Sequence, residues 1–213
     1  MEIAILIFDR FTALDAVGPY EVLRSIPGAK VKFVAKQPGP VRTDVGSLAL
    51  TADYALDEVA AADILVVPGG PGQAALMDDS KILDWVRRVH DQTKWTTSVC
   101  TGSLVLAAAG LLKGLRATSH WLALDVLRQF GAEPSAERVV IQGKIITAAG
   151  VSAGIDMALR LAALAGGDEV AQAIQLGIEY DPQPPFDAGS PAKAPAAVVA
   201  LLRGRSRFLM QGK

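Results

Sequence analysis

Short runs of Ile, Val and Phe alternate along the chain with longer stretches whose apolar positions recur every three or four residues, and each run ends at a Gly or Pro cluster. This alternation is the signature of an α/β fold. Glu2 to Phe8, Lys32 to Ala35, Ile64 to Val67 and Trp95 to Val99 are brief and rich in Ile, Val and Phe, as strands covered on both faces are. They predict a parallel sheet. Gly18 to Ser25, Ser80 to His90 and Thr101 to Leu112 predict crossover helices, with Ile82, Leu83, Val86 and Val89 as the clearest apolar stripe.

The second half predicts a helix near Trp121 to Phe130 and a hairpin of Arg138 to Ile141 with Lys144 to Thr147, turning at Gln142 and Gly143. A long helix from about Ala153 and another near Asp168 to Ile178 follow. The Pro-rich stretch Tyr180 to Pro195 predicts an irregular strap. Residues 196 to 213 fit one short helix and a basic run of Arg203, Arg205, Arg207 and Lys213, read as a solvated tail. No repeat and no linker divides the chain, so residues 1–213 read as a single domain.

Composition narrows the function. Of 213 residues, 51% are hydrophobic and 20% charged, which suits a folded domain with a substantial core. Twenty-one Lys and Arg against 22 Asp and Glu leave no surplus charge for a nucleic acid or an anionic membrane. The first residues, MEIAILIFDR, lack the basic leader and cleavage site of a signal peptide. Apolar stretches such as Leu104 to Leu112 are about half the ~20 residues a membrane span needs. With one cysteine there is no internal disulfide, and a cytoplasmic setting is expected. Two histidines and one thiol make a metal site improbable.

The segment Lys94-Trp-Thr-Thr-Ser-Val-Cys100-Thr-Gly-Ser-Leu-Val-Leu carries the most chemistry. A β run stops at Cys100 and a helix begins directly after it, which places the sulfur on a sharp corner like a nucleophile elbow. There the helix start favours a thiolate, and Gly102 relieves crowding. The plain alternative is a cysteine filling a core gap. A second Gly-rich corner, Asp63-Ile-Leu-Val-Val-Pro-Gly69-Gly70-Pro-Gly72, lies beside Cys100 if the two strands are neighbours. The Gly70 N–H is then a candidate oxyanion donor; an ordinary turn is the other reading, and a phosphate cradle fits less well for want of GxGxxG spacing or a following Lys-Ser/Thr.

Asp15, in Ala13-Leu14-Asp15-Ala16-Val17-Gly18-Pro19-Tyr20-Glu21, is either an N-cap or a carboxyl held against the sulfur with a raised pKa. Glu21 reads as a helix surface residue. His120, in Ala117-Thr-Ser-His120-Trp121, is the imidazole best placed to meet Cys100, as in a cysteine hydrolase dyad, or else a satisfied polar residue; His90 falls at an exposed helix end.

Taken together, Pro68-Gly-Gly, Ser98-Val-Cys100-Thr-Gly-Ser, Ala117-Thr-Ser-His-Trp, Ala149-Gly-Val-Ser-Ala-Gly-Ile-Asp156 and Glu179-Tyr-Asp-Pro-Gln-Pro-Pro-Phe-Asp-Ala-Gly-Ser-Pro191 resemble the ThiJ/PfpI superfamily, closest to its isonitrile hydratases. The resemblance runs from the first strand through the Pro-rich strap. It implies an α/β, flavodoxin-like three-layer sandwich with a mostly parallel central sheet, of the class I glutamine amidotransferase-like kind. It also implies a homodimer acting on a small molecule, with no metal and no organic cofactor. By this likeness Cys100 is the nucleophile of a carbon–oxygen lyase, Asp15 its carboxyl partner, and Thr101 and Gly70 contribute backbone donors, with Gly69, His120 and Val151 around the pocket. The implied reaction adds water to an isonitrile through a cysteine thioimidate, giving an N-substituted formamide.

Four other activities belong to similar chains. Protease relatives place a histidine directly after the cysteine, where this chain has Thr101. AraC-like regulators add about a hundred residues of helix-turn-helix, and the end at Lys213 favours the enzyme. A glyoxalase or deglycase reaction at a carbonyl would use the same Cys100, and an oxidant-sensing thiol would form a sulfinate beside Asp15. Ala149, Val151 and Val17 depart from the nearest hydratase pattern, in which Gly, Ile and Thr are expected, and bear on substrate size.

Overall fold

The computed structural model describes residues 1–206. In chain order it contains β1 (Glu2–Leu6), α1 (Ala13–Leu23), β2 (Lys30–Ala35), β3 (Gly39–Arg42), β4 (Ala49–Ala52), β5 (Tyr54–Ala55), β6 (Ile64–Val67), α2 (Gln73–Leu76), α3 (Ser80–Gln92), β7 (Trp95–Val99) and α4 (Gly102–Ala108). There follow β8 (Arg116–Ala117), β9 (Glu133–Pro134), β10 (Val139–Gln142), β11 (Ile145–Ala148), α5 (Ala153–Gly166), α6 (Asp168–Gly177) and α7 (Ala196–Gly204). Short 3-10 turns cover Leu56–Glu58 and Leu124–Phe130.

Seven strands form one sheet in the order β10-β11-β7-β6-β1-β2-β5, parallel throughout except for the β10–β11 hairpin. The predicted mostly parallel α/β sheet is what the chain forms. Every residue of β6 is fully buried, as is β1 from Ile3 to Leu6, because helices shield the sheet. α1 packs on α5 and α5 on α6, while α3 packs on α4. α3 shows how sequence makes such a helix: Asp79 accepts from the amides of Lys81 and Ile82 at its start, and Ile82, Leu83, Trp85, Val86 and Val89 are buried along one face. Trp85, outside the predicted stripe, is held there by Nε1 donating to the Val59 carbonyl at 2.7 Å.

Boundaries differ from the sequence reading where tertiary contacts outweigh local signals. α1 starts at Ala13, five residues before the expected Gly18, and runs through Pro19. Pro19 removes one backbone donor, yet its ring packs where a Cβ on Gly154 of α5 would approach to 3.1 Å. The N-cap is Thr12, so Asp15 sits inside the first turn and the N-cap reading of it does not hold. α4 stops at Ala108 instead of Leu112, followed by turns with Gly110 and Gly114 at positive φ. The expected helix over Trp121 to Phe130 is a 3-10 turn from Leu124, stopped by Gly131 at φ 75°. The hairpin turns at Gly143–Lys144, one residue later than expected, because Gly143 takes φ 60° and Gln142 pairs with Ile145. The β3–β4 hairpin and β5 had no prediction.

The stretch Tyr180 to Pro195 is irregular and mostly exposed. Beyond it, Arg203 and Arg205 of the basic run are exposed, as a solvated tail requires. The Arg203 guanidinium lies 5.9 Å from the centroid of the Trp121 ring, and Ser206 is 5% exposed. Arg207 and Lys213 lie outside the described residues. Among the described residues no helix is long and apolar enough to cross a membrane.

Candidate active site

β1, β6 and β7 are consecutive in the sheet, so the loops leaving their carboxyl ends meet. The chain departs from β1 toward β2 on one side and returns to β6 on the other. A crevice opens at such a reversal. The β1 loop brings Thr12 and Asp15, the β6 loop Gly69 to Gly72, and the β7 corner Cys100 and Thr101.

Cys100 stands on that corner with φ 57°, one of three non-glycine residues at positive φ among the described residues. The surroundings hold it there. Its N–H donates to the carbonyls of Ala148 and Ala149 at 3.0 and 3.1 Å, and its carbonyl accepts from the hydroxyls of Ser103 and Ser119 at 3.2 and 3.1 Å. A backbone of this kind costs about 1–3 kcal/mol. Gly102 lets the corner press onto β6: a Cβ there would fall 2.0 Å from the Val67 carbonyl oxygen.

Asp15 has no exposed surface. Its Oδ2 accepts from the Gly69 N–H at 2.9 Å, while Oδ1 is buried with no hydrogen-bond partner among the described residues. Burial pushes its pKa up to about 7, against the pull of the Gly69 amide and of the nearby Cys100 thiol. Burial also pushes the Cys100 thiol well above its ordinary range; the negative charge of Asp15 adds to this and the Thr101 amide opposes it. Burial and the charge of Asp15 thus favour the thiol, against the pull of the helix start toward a thiolate. Burial in a corner followed by only seven residues of helix outweighs the helix field.

The two Gly-rich corners interlock. Gly70 N–H donates to Thr101 Oγ1 at 3.0 Å, so the amide expected as an oxyanion donor is engaged by the Thr101 hydroxyl. A Cβ on Gly69 would lie 2.5 Å from Thr101 N and 3.0 Å from Asp15 Oδ2. Thr12 N donates to the Gly69 carbonyl at 2.9 Å, closing the β1 loop onto the same corner.

Cys100, Thr101 and Gly70 line a chamber of about 300 Å³ together with His120 and Val151. Asp15 and Gly69 stand behind this wall. His120 Nδ1 accepts from the Leu122 N–H at 3.3 Å, and its ring rests where a Cβ on Gly150 would come within 2.3 Å of Cδ2. Among the described residues, the Asp15 and Thr101 side chains bear on the thiol. Of the three departures, Val151 lines the chamber and Ala149 supplies a carbonyl to Cys100; Val17 is not part of the lining.

Sequence reasoning did not find Thr12, Asp44, Leu122, Arg205 or Ser206, all of which line the chamber. Only Thr12 had a local signal, as a capping residue type before a helix. Asp44 arrives through the β3–β4 hairpin, where Thr43 bridges to Phe11, and it accepts from the Thr12 hydroxyl at 3.0 Å. A larger cleft of about 720 Å³ opens on the other side of Gly72, beside Phe8 and Arg10, but Cys100 does not line it.

The family model described as the DJ-1/PfpI family matches residues 1–164. The isonitrile hydratase of Pseudomonas putida is 46% identical over 206 residues, covering 97% of this chain and 90% of that protein. The HTH-type transcriptional regulator CdhR of Pseudomonas aeruginosa is 36% identical over 135 residues, covering 62% of this chain and 40% of the regulator. Among solved structures, a ThiJ/PfpI family protein from Pseudomonas syringae superposes with a TM-score of 0.93 at 42% identity, covering 96% of this chain and 85% of that one. With its sheet, its strained cysteine corner and these matches, the chain belongs to the DJ-1/PfpI family.

Proposed function

We propose that this protein is a cysteine-dependent hydratase that converts an isonitrile and water to an N-substituted formamide. The observation that carries the reading is the buried pair of Cys100 and Asp15, in a chain similar to an isonitrile hydratase along almost all its length. The pair holds one mobile proton near neutral pH. Moving it from sulfur to the carboxyl creates thiolate and carboxylic acid together, with no net change of charge in the buried space.

The thiolate then attacks the terminal isonitrile carbon and Asp15 returns the proton to that same carbon. An S–C and a C–H bond form, giving the thioimidate R–N=CH–S–Cys100. Water adds to the thioimidate carbon, the nitrogen takes a proton, and the C–S bond breaks. The products are R–NH–CHO and the thiol. The Thr101 hydroxyl accepts from Gly70 N–H at 3.0 Å and donates to the Gly70 carbonyl at 3.5 Å, a long bond that it can exchange for one to the reacting atoms. The Gly69 amide holds the carboxyl of Asp15 in place through each proton transfer.

The test is direct: a para-substituted phenyl isonitrile is incubated with the protein and formamide absorbance is followed. Turnover that disappears in Cys100→Ala supports the reading, and absence of formamide removes it. We also propose that the protein works as a homodimer. Exposed apolar side chains at Phe186, Val198, Leu201 and Leu202 support this, and light scattering on the intact chain measures it.

A further inference from the structure

The C-terminal segment is a motif singled out in the sequence that the reaction does not use, yet two of its residues line the same pocket as the reacting thiol. After α7 the chain turns back, with Arg205 and Ser206 lining the same chamber as Cys100, His120 and Leu122. Ser206 is 5% exposed and its N–H donates to the Arg203 carbonyl at 3.0 Å. The Arg203 side chain is fixed in turn over the Trp121 ring, next to His120 and Leu122 in sequence. The segment therefore joins the side of the chamber that the Ser119–Leu122 corner builds. It lies beyond the stretch matched by the family model, which stops at residue 164, whereas the likeness to the isonitrile hydratase extends over 206 residues.

We propose that Arg205 and Ser206, held by the Arg203–Trp121 contact, are specificity-determining residues that form the outer wall of the Cys100 chamber and limit its substrates to small, slender molecules. A pocket of about 300 Å³ is large enough for a compact isonitrile, and Arg205 and Ser206 stand on its rim. The wall acts on access, not on the chemical steps, so opening it raises the reactivity of bulky reagents without changing that of small ones to the same degree. The substrate class named here rests on the hydratase reading; the wall itself does not.

Cys100 is the chain's one cysteine, so intact mass reports its modification without ambiguity. The full-length protein, Trp121→Ala, the double variant Arg205→Gly with Ser206→Gly, and Ser206→Trp are each treated with iodoacetamide and, separately, with fluorescein maleimide. The ratio of bulky to small reagent rates is expected to rise at least tenfold in the two opening variants. In Ser206→Trp, which fills the wall, the iodoacetamide rate is expected to fall at least tenfold while the melting temperature stays within a few degrees. A ratio within twofold of the parent in both opening variants overturns the proposal. So does an unchanged iodoacetamide rate in Ser206→Trp, which decides the matter if an opening variant fails to fold. Where the parent converts phenyl isonitrile, the opening variants should also gain on para-substituted, bulkier isonitriles in kcat/KM. A parent without turnover removes the hydratase reading and leaves the alkylation result to judge the wall.

Discussion

The Gly69 amide donates to Asp15 Oδ2 at 2.9 Å across 54 positions of sequence, and this bond joins the loops that follow β1 and β6. It satisfies one carboxyl oxygen and leaves the other, Oδ1, buried beside the Cys100 thiol without a hydrogen-bond partner among the described residues. A carboxyl so placed keeps a proton far longer than one in water.

That placement makes Asp15 a group whose function works against stability. Its pKa rises from 3.8 to about 7 on folding, so its contribution is fully present below 3.8 and is lost as pH rises through 7. The difference corresponds to about 4 kcal/mol as an order of magnitude. Asp15→Asn keeps an acceptor for the Gly69 amide and does not ionise. The variant is expected to lose formamide production by at least a thousandfold, and to melt at or above the parent at pH 8, with that advantage gone by pH 4. Thermal melts of both proteins across this range provide the check; a variant less stable at pH 8 contradicts it.

Cys100 alkylation by iodoacetamide should follow the pair, not an isolated thiol. The rate is expected to climb as pH passes about 7 and then level, because loss of the first proton opens the thiolate–carboxylic acid form. In Asp15→Asn the thiol keeps its burial but has no carboxyl to receive its proton, so the rise moves above pH 8. Intact-mass time courses at a series of pH values measure both curves.

Thr101→Val removes the hydroxyl that accepts from Gly70 N–H and leaves that amide's bond to it unmade in a buried site. A loss of about 1–3 kcal/mol in unfolding free energy is expected, with turnover down by one to two orders of magnitude. Thr101→Ser restores the acceptor and should recover most of both. Denaturant unfolding alongside the formamide assay separates the two effects.

Gly69→Ala and Gly102→Ala probe the interlocked corners. A Cβ on Gly69 meets Thr101 N at 2.5 Å, and one on Gly102 meets the Val67 oxygen at 2.0 Å, both backbone atoms that cannot step aside. Each variant is expected to lose more than ~3 kcal/mol of stability, in the range reserved for strain and overpacking. Gly143→Ala, at positive φ but in open space, should cost only about 1 kcal/mol. Chemical denaturation curves rank the three.

Much of this protein was legible in the order of its residues. Strands buried on both faces tend to be continuously apolar, so β1 and β6 stood out; β7, with Thr96, Thr97 and Ser98, was marked by β-branched residues ahead of a thiol and a helix start, which placed that thiol on a corner. Helix ends were less legible, because α1 extends back to Ala13 through packing against α5 and α4 stops short at turns built on Gly110 and Gly114. What the tertiary structure alone decided was proximity and its electrostatic result. The helix start argued for a thiolate at Cys100, but burial, added to the charge of Asp15 from α1, pushes its pKa up and favours the thiol. Likewise the C-terminal arginines are exposed, as a basic run suggests, but only the tertiary structure sets Arg203 over the Trp121 ring and brings Arg205 and Ser206 to the lining of the Cys100 pocket. Periodicity follows from neighbours along the chain, whereas pKa and access follow from neighbours in space, and those exist only once the loops have met.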